Sequence, residues 1–198
     1  MVRLMLVTDD RLVAGRDLVE LARAAERGGA TSVQLRLKHR SARELAAAAR
    51  ALVGALRVPV LVNDRPDVAL GAGAAGVHLG PDDLPVALVR RVVPPGFIVG
   101  TSAGSPEEAA LGAAADYWGV GPWRTSDTKH DAGEALGVDG FRRIASLAEG
   151  KPCIAIGGVR PEDVRVVLAA GGAGVAVVSG ILGADDVEAA ARRYALSP

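Results

Sequence analysis

Short apolar runs alternate with longer amphipathic, alanine-rich segments along the chain, and this alternation sets the expected elements. Eight apolar runs read as buried strands, at residues 4–8, 32–37, 58–63, 76–79, 98–102, 117–121, 153–157 and 174–179. Between them apolar positions recur at helical spacing over 17–27, 42–56, 84–92, 107–114, 138–147, 161–170 and 185–195, with a short glycine-flanked helix at 67–73. Ser41, Ser105-Pro106 and Pro161 stand where helices open, and Gly171-Gly172 where one closes. Consecutive parallel strands need a crossover element, so strand followed by helix, repeated, predicts a parallel sheet. A repeat of roughly 25 residues fits a closed (β/α)8 TIM barrel, expected as one domain over residues 1–198. The competing open, doubly wound sheet would carry a glycine-rich nucleotide turn after its first strand, and none stands there.

Composition narrows the function. Hydrophobic residues make up 49% of 198 residues, enough for a substantial core. The 23 basic and 23 acidic residues cancel, which argues against a nucleic-acid or membrane-surface partner while leaving room for a local cationic pocket. Cys153, the one cysteine, sits in an apolar run and reads as a small buried thiol. No apolar run approaches the roughly 20 residues that span a bilayer, and the start of the chain enters a strand too soon for a signal peptide. A cytoplasmic protein is expected by elimination. Apolar positions on the outer helices are compatible with a homo-oligomer, but no interface is named.

In a barrel of this kind the site gathers at the C-terminal ends of the strands, and the polar residues collect there. Strand two ends in Gln34-Leu35-Arg36-Leu37-Lys38, whose period of two sends Gln34, Arg36 and Lys38 to one side. A closed barrel has no edge strand to expose these cations, so they call for an anion. Strand three ends in Asn63-Asp64-Arg65, strand four in His78-Leu79-Gly80-Pro81-Asp82-Asp83 and strand five in Ser102. Asp64, Asp82 and Asp83 each read equally as helix caps. Taken together they bring carboxylates to one mouth, and two carboxylates completed by substrate phosphates form a usual magnesium site. His78, inside a strand, reads as a satisfied core histidine.

After strand six comes the polar loop Thr125-Ser126-Asp127-Thr128-Lys129-His130-Asp131-Ala132-Gly133, rich in donors and suited to a phosphorylated ligand. Gly157-Gly158 and Ser179-Gly180 follow strands seven and eight, where barrels of this type often hold a phosphate through backbone N–H groups; glycine pairs also occur as plain turns. One end of the mouth thus fits a metal-bound diphosphate and the other a phosphate cradle, which together invite two phosphorylated small molecules.

The ordered motifs Val7-Thr8-Asp9, Val33-Gln34-Leu35-Arg36-Leu37-Lys38, Val62-Asn63-Asp64-Arg65, Gly76-Val77-His78-Leu79-Gly80 and Asp83-Leu84-Pro85 continue with Gly121-Pro122, Thr128-Lys129, Asp131-Ala132-Gly133, Ala155-Ile156-Gly157-Gly158 and Val177-Val178-Ser179. The set resembles the thiamine phosphate synthase family across nearly the whole chain. The resemblance implies a (β/α)8 barrel that joins an aminopyrimidine methyl diphosphate to a thiazole phosphate and releases diphosphate. It also implies that Gln34, Arg36, Lys38, Asn63, Ser102 and Lys129 hold the pyrimidine diphosphate, with Arg36, Lys38, Ser102 and Lys129 as the catalytic group. Asp64 and Asp83 would hold Mg²⁺, and Ser126, Thr128, Gly158, Val178 and Ser179 the thiazole phosphate. The chain departs from the family's pattern at three places: Leu37 stands for an acid between Arg36 and Lys38, Ser126 for a threonine, and Trp123-Arg124-Thr125 for a more apolar stretch.

Three other readings stay open at this level. The related thiazole tautomerases share the barrel but want a histidine after strand five, where this chain has Gly104. A non-catalytic barrel could bind a thiamine precursor, since fold alone does not specify activity. A phosphosugar isomerase would need a carboxylate base paired with an acid, and no pair stands out beyond Asp64 and Asp83.

Overall fold

Strand β1 (Leu4–Val7) pairs in parallel with β2 (Ser32–Leu35) on one side and with β8 (Gly174–Val177) on the other. This double pairing closes the sheet, and β3 (Val60–Asn63), β4 (Gly76–Leu79), β5 (Ile98–Ser102), β6 (Tyr117–Val120) and β7 (Cys153–Ala155) complete the barrel in sequence order. The computed structural model describes residues 2–125 and 134–195 of the chain. The expected (β/α)8 barrel is the fold found.

The helices outside the barrel are α1 (Leu18–Arg27), α2 (Ala42–Ala55), α3 (Pro66–Ala72), α4 (Val86–Val89), α5 (Pro106–Leu111), α6 (Gly137–Ser146), α7 (Asp163–Ala169), α8 (Ser179–Leu182) and α9 (Val187–Tyr194). Local chemistry explains several of their starts. The Asp17 carboxylate accepts from the N–H groups of Val19 and Glu20 at 2.9 and 3.1 Å. Ser41 and Glu44 form a reciprocal capping box, and Ser105 accepts from the Glu108 N–H.

The strands are shorter than the apolar runs suggested, mostly at their C-terminal ends. Thr8, residues 36–37, Gly121, residues 156–157 and Val178 lie beyond the strand ends and lead into the barrel mouth, and Ser179 opens a helix. Residues 58–59 likewise lie outside β3. The helix expected over 84–92 shrinks to one turn, Val86–Val89, which buries Val86 and Val89 and leaves Leu84, Leu88 and Val92 exposed. Helix α8, which the sequence reading does not contain, begins at Ser179, where the last strand ends.

The period of two along the strands builds two cores. Outward residues such as Leu35, Val62, Leu79, Val99 and Trp118 pack against the helices. Inward residues Met5, Val7, Leu61, Tyr117, Ile154 and Ala176 fill the barrel itself. Tyr117 fits there because Gly100, its register partner on β5, has no side chain; a Cβ at Gly100 would stand 2.1 Å from the Tyr117 ring. The apolar plug closes the bottom of the barrel and leaves its C-terminal mouth open to carry polar groups. Among the described residues, no helix is long and apolar enough to cross a membrane.

Candidate active site

A cavity of about 520 Å³ opens at this mouth, within the range of small-molecule sites. Its floor is a buried polar relay. The His78 ring, 6% exposed, places Nδ1 2.9 Å from the Tyr117 hydroxyl and Nε2 3.3 Å from Ser102 Oγ. The Gln34 side chain also bonds to the Tyr117 hydroxyl, and burial pushes the Tyr117 pKa well above its usual range. His78 is therefore a hydrogen-bonded core histidine, as its strand position suggested, and its ring also forms part of the cavity wall. The relay holds Gln34 and Ser102 in place at the cavity wall.

Gln34, Arg36, Lys38, Asn63, Asp64, Asp83 and Ser102 all line this cavity, so the strand ends bring together the whole described part of the expected diphosphate side. Leu37 does not leave Arg36 without an acid: Leu37 is buried in the outer core, and Asp9, at the end of β1, lies 3.6 Å from the Arg36 guanidinium. Thr8 completes the joint, with its hydroxyl accepting from the Arg36 N–H at 2.8 Å. Asp9 belongs to the Val7-Thr8-Asp9 motif, but its partner is decided by the pairing of β1 with β2.

The helix-cap readings of the carboxylates do not hold. Helices α3 and α4 are preceded by Arg65 and Pro85, and neither has a side-chain cap. Asp83 instead accepts from the Gly80 N–H at 2.7 Å, which aims the loop after β4 at the mouth. Asp64 adopts φ 64°, a left-handed conformation uncommon for a non-glycine residue, while its N–H extends the β3–β4 ladder to His78 O at 2.8 Å. Burial, then a hydrogen bond and charge repulsion from Asp83, push the Asp64 pKa up to about 7, against the opposing pull of Lys38 and Arg36.

Two half-buried carboxylates in mutual contact need a cation or a proton between them. Their hard oxygen atoms fit Mg²⁺, with phosphate oxygens and water to complete its shell. Among the described residues no group of three or more His, Cys, Asp or Glu side chains could hold a metal by itself. A metal held by these two carboxylates would depend on substrate oxygens and water for its remaining ligands.

Across the mouth, Gly157, Gly158, Val178 and Ser179 line the same cavity. Gly157 and Gly158 take φ 87° and 67°, and a Cβ at either would crowd Pro122 or Arg124 at 2.9 Å. Only glycine fits this turn, which leaves its backbone open to a ligand. Ser126, Thr128 and Lys129 lie outside the described residues. Glu134 and Glu108, which the sequence reading did not single out, also line the cavity. Glu108 accepts from the Gly104 N–H at 2.6 Å, a contact four residues along the chain that acidic residues in a first helical turn can make.

The family model for thiamine monophosphate synthase matches residues 4–181. The thiamine-phosphate synthase of Azorhizobium caulinodans is 47% identical over 194 residues, covering 96% of this chain and 91% of that protein. That of Methanoculleus marisnigri is 46% identical over 197 residues, covering 96% and 92%. The solved thiamine phosphate pyrophosphorylase from Pyrococcus furiosus superposes with a TM-score of 0.86 at 36% identity, covering 97% of this chain and 93% of that one. A 3-hexulose-6-phosphate synthase matches at TM-score 0.70 but only 19% identity, a likeness of fold alone. With its polar mouth carried on a matching barrel and its sequence matched nearly end to end, the chain belongs to the thiamine monophosphate synthase family.

Proposed function

We infer that this protein is a transferase that makes thiamine phosphate from 4-amino-2-methyl-5-(diphosphooxymethyl)pyrimidine and 4-methyl-5-(2-phosphooxyethyl)thiazole, or its carboxylated form. The observation that carries this reading is one cavity with two unlike anion-binding ends, a cation-and-carboxylate side and a glycine turn. In the reaction the bond from the pyrimidine methylene carbon to the diphosphate oxygen breaks, and its electron pair leaves with diphosphate. A bond from the thiazole nitrogen to the same carbon forms; with the carboxylated thiazole the bond from ring carbon to carboxylate also breaks, carbon dioxide leaves, and the ring carbon takes up a proton from water. The attacking nitrogen carries no proton, so no general base is needed.

Each residue has a role in this scheme. Arg36, Lys38 and Lys129 neutralise the charge that grows on the departing diphosphate, and Asn63 and Ser102 orient it. Asp64 and Asp83 would hold Mg²⁺, which when bound supplies further charge neutralisation to the leaving group. Gln34, fixed by the Tyr117 relay, holds the pyrimidine. Ser126, Thr128, Gly158, Val178 and Ser179 hold the thiazole phosphate so that nitrogen and carbon meet in line. The tautomerase alternative wants a histidine after β5, where this chain has Gly104, and a Cβ there would stand 2.8 Å from Gly121 O, so the backbone would have to shift to take one.

The test is incubation of the purified protein with magnesium and both substrates, with thiamine phosphate read as fluorescent thiochrome after oxidation. Product from the wild type that falls at least 100-fold in Asp64→Ala and Lys129→Ala supports the synthase reading, on the scale of losing one electrostatic contact to the transition state, about 10²–10³. Binding of both substrates without product overturns it in favour of a precursor-binding barrel.

A further inference from the structure

Asp163 opens helix α7 behind the glycine turn and is 4% exposed, yet it does not line the cavity. Its carboxylate receives three kinds of donor. The Arg124 guanidinium binds it through two nitrogens, with Nη2 at 2.7 Å from Oδ1 and Nη1 on Oδ2. The Arg160 N–H donates to Oδ2 at 2.8 Å, and the Trp123 side chain adds a further hydrogen bond. A carboxylate buried this deeply is stabilised only when so paired.

These contacts close a ring around the phosphate turn. From Asp163 the ring runs to the Arg160 N–H, then back along the chain through Val159 and Gly158 to Gly157. The Gly157 carbonyl accepts from the Arg124 N–H at 2.8 Å, and the Arg124 side chain returns to Asp163. Trp123 reinforces the same side, with its N–H donating to Ile156 O at 2.7 Å and its ring packed edge-on against Phe141 at 5.7 Å. Gly157 and Gly158 are the residues with the most conformational freedom in the ring and the ones that must hold left-handed angles.

We propose that Asp163 and Arg124 are a positioning pair that holds the Gly157-Gly158 turn in the shape that binds the thiazole phosphate. Neither side chain touches substrate; each acts through the glycine backbone. The pair accounts for the departure at Arg124, whose charge is spent on Asp163 rather than in the cavity. It predicts an asymmetry, because Arg36, Lys38, Asp64 and Asp83 lie on the other side of the mouth and share none of these contacts. The proposal rests on the reading of this turn as the thiazole phosphate cradle.

The test compares wild type with Arg124→Met and Asp163→Asn in the thiochrome assay, varying each substrate separately. Arg124→Met keeps the backbone N–H to Gly157, whereas Asp163→Asn removes the buried charge and leaves an Arg124 side chain that is 41% exposed to solvent, so Asp163→Asn is the variant less prone to unfold. The expected result is a rise in KM for the thiazole phosphate on the order of tenfold in both variants, the scale of a lost charge-assisted contact. KM for the pyrimidine diphosphate stays within about twofold, a limit well inside one such contact. Unchanged thiazole KM in Arg124→Met, or equal shifts in both KM values, overturns the pair's role. If the wild type forms no product, the synthase reading fails, and inorganic phosphate binding by calorimetry decides the pair separately. Weaker binding in both variants then supports it, and equal binding overturns it.

Discussion

Asp64 and Asp83 hydrogen-bond to each other on one side of the barrel mouth, although they follow different strands, the adjacent β3 and β4. Two carboxylates in this contact bind a hard cation together far better than either could alone. Magnesium with inorganic diphosphate should therefore raise the Tm of the wild type by several degrees, roughly 2–4 °C for each kcal/mol of binding in a chain of this size. Asp64→Asn and Asp83→Asn should each lose most of that rise, as read by differential scanning fluorimetry. An undiminished rise in either variant would remove that residue from the metal site.

Asp9 orients Arg36 without reaching into the cavity lining. Asp9→Asn should raise the KM for the pyrimidine diphosphate several-fold, about the effect of one partly exposed ion pair, and leave the thiazole phosphate KM unchanged. Arg36→Gln should do more, because it removes the cation proposed to meet the diphosphate. An Asp9→Asn effect as large as that of Arg36→Gln would mean that Asp9 meets the substrate or metal directly.

Gly100 makes room for the Tyr117 ring and so for the relay to His78 and Ser102. Gly100→Ala should overpack the barrel interior and destabilise it by about 1–3 kcal/mol or more, measured by urea unfolding. Stability equal to wild type would show that Tyr117 can move aside.

Asp163 gives the pH dependence a definite sign. Burial alone would raise its pKa, but the Arg124 side chain, the Arg160 N–H and Trp123 outweigh it, so the group titrates below the usual carboxylate value. The folded state then binds fewer protons than the unfolded state, and stability rises with pH over that interval. The contribution is complete above the unfolded value of about 3.9 and is lost as pH falls through the folded one. The stability gap between wild type and Asp163→Asn should be widest near neutral pH and narrow below about pH 4. A gap unchanged down to pH 3 would contradict the ion pair.

Much of this protein was legible along the chain. Strand and helix positions follow from local periodicity, and Ser41, Ser105 and Asp17 act as caps through bonds to residues two or three positions away. The set of strand-end residues that line the cavity was legible for the same reason: once the strands close into a barrel, their C-terminal ends must share one mouth. Helix α8 was not, because four residues carry no helical period to read.

What the tertiary structure alone decided is which distant groups meet. Asp9 with Arg36, Tyr117 with His78, and Asp163 with Arg124 are joined by barrel register and loop packing, not by spacing in the chain. Asp64 and Asp83 could each have capped a helix by local rules, and the barrel turned both toward the mouth instead. Local propensity acts over a few residues, whereas the register of a closed parallel sheet places every strand end relative to all the others. The chain by itself therefore determined the elements and the polar residue types at their ends, and closure of the barrel determined the partners of those residues and hence their charge and orientation.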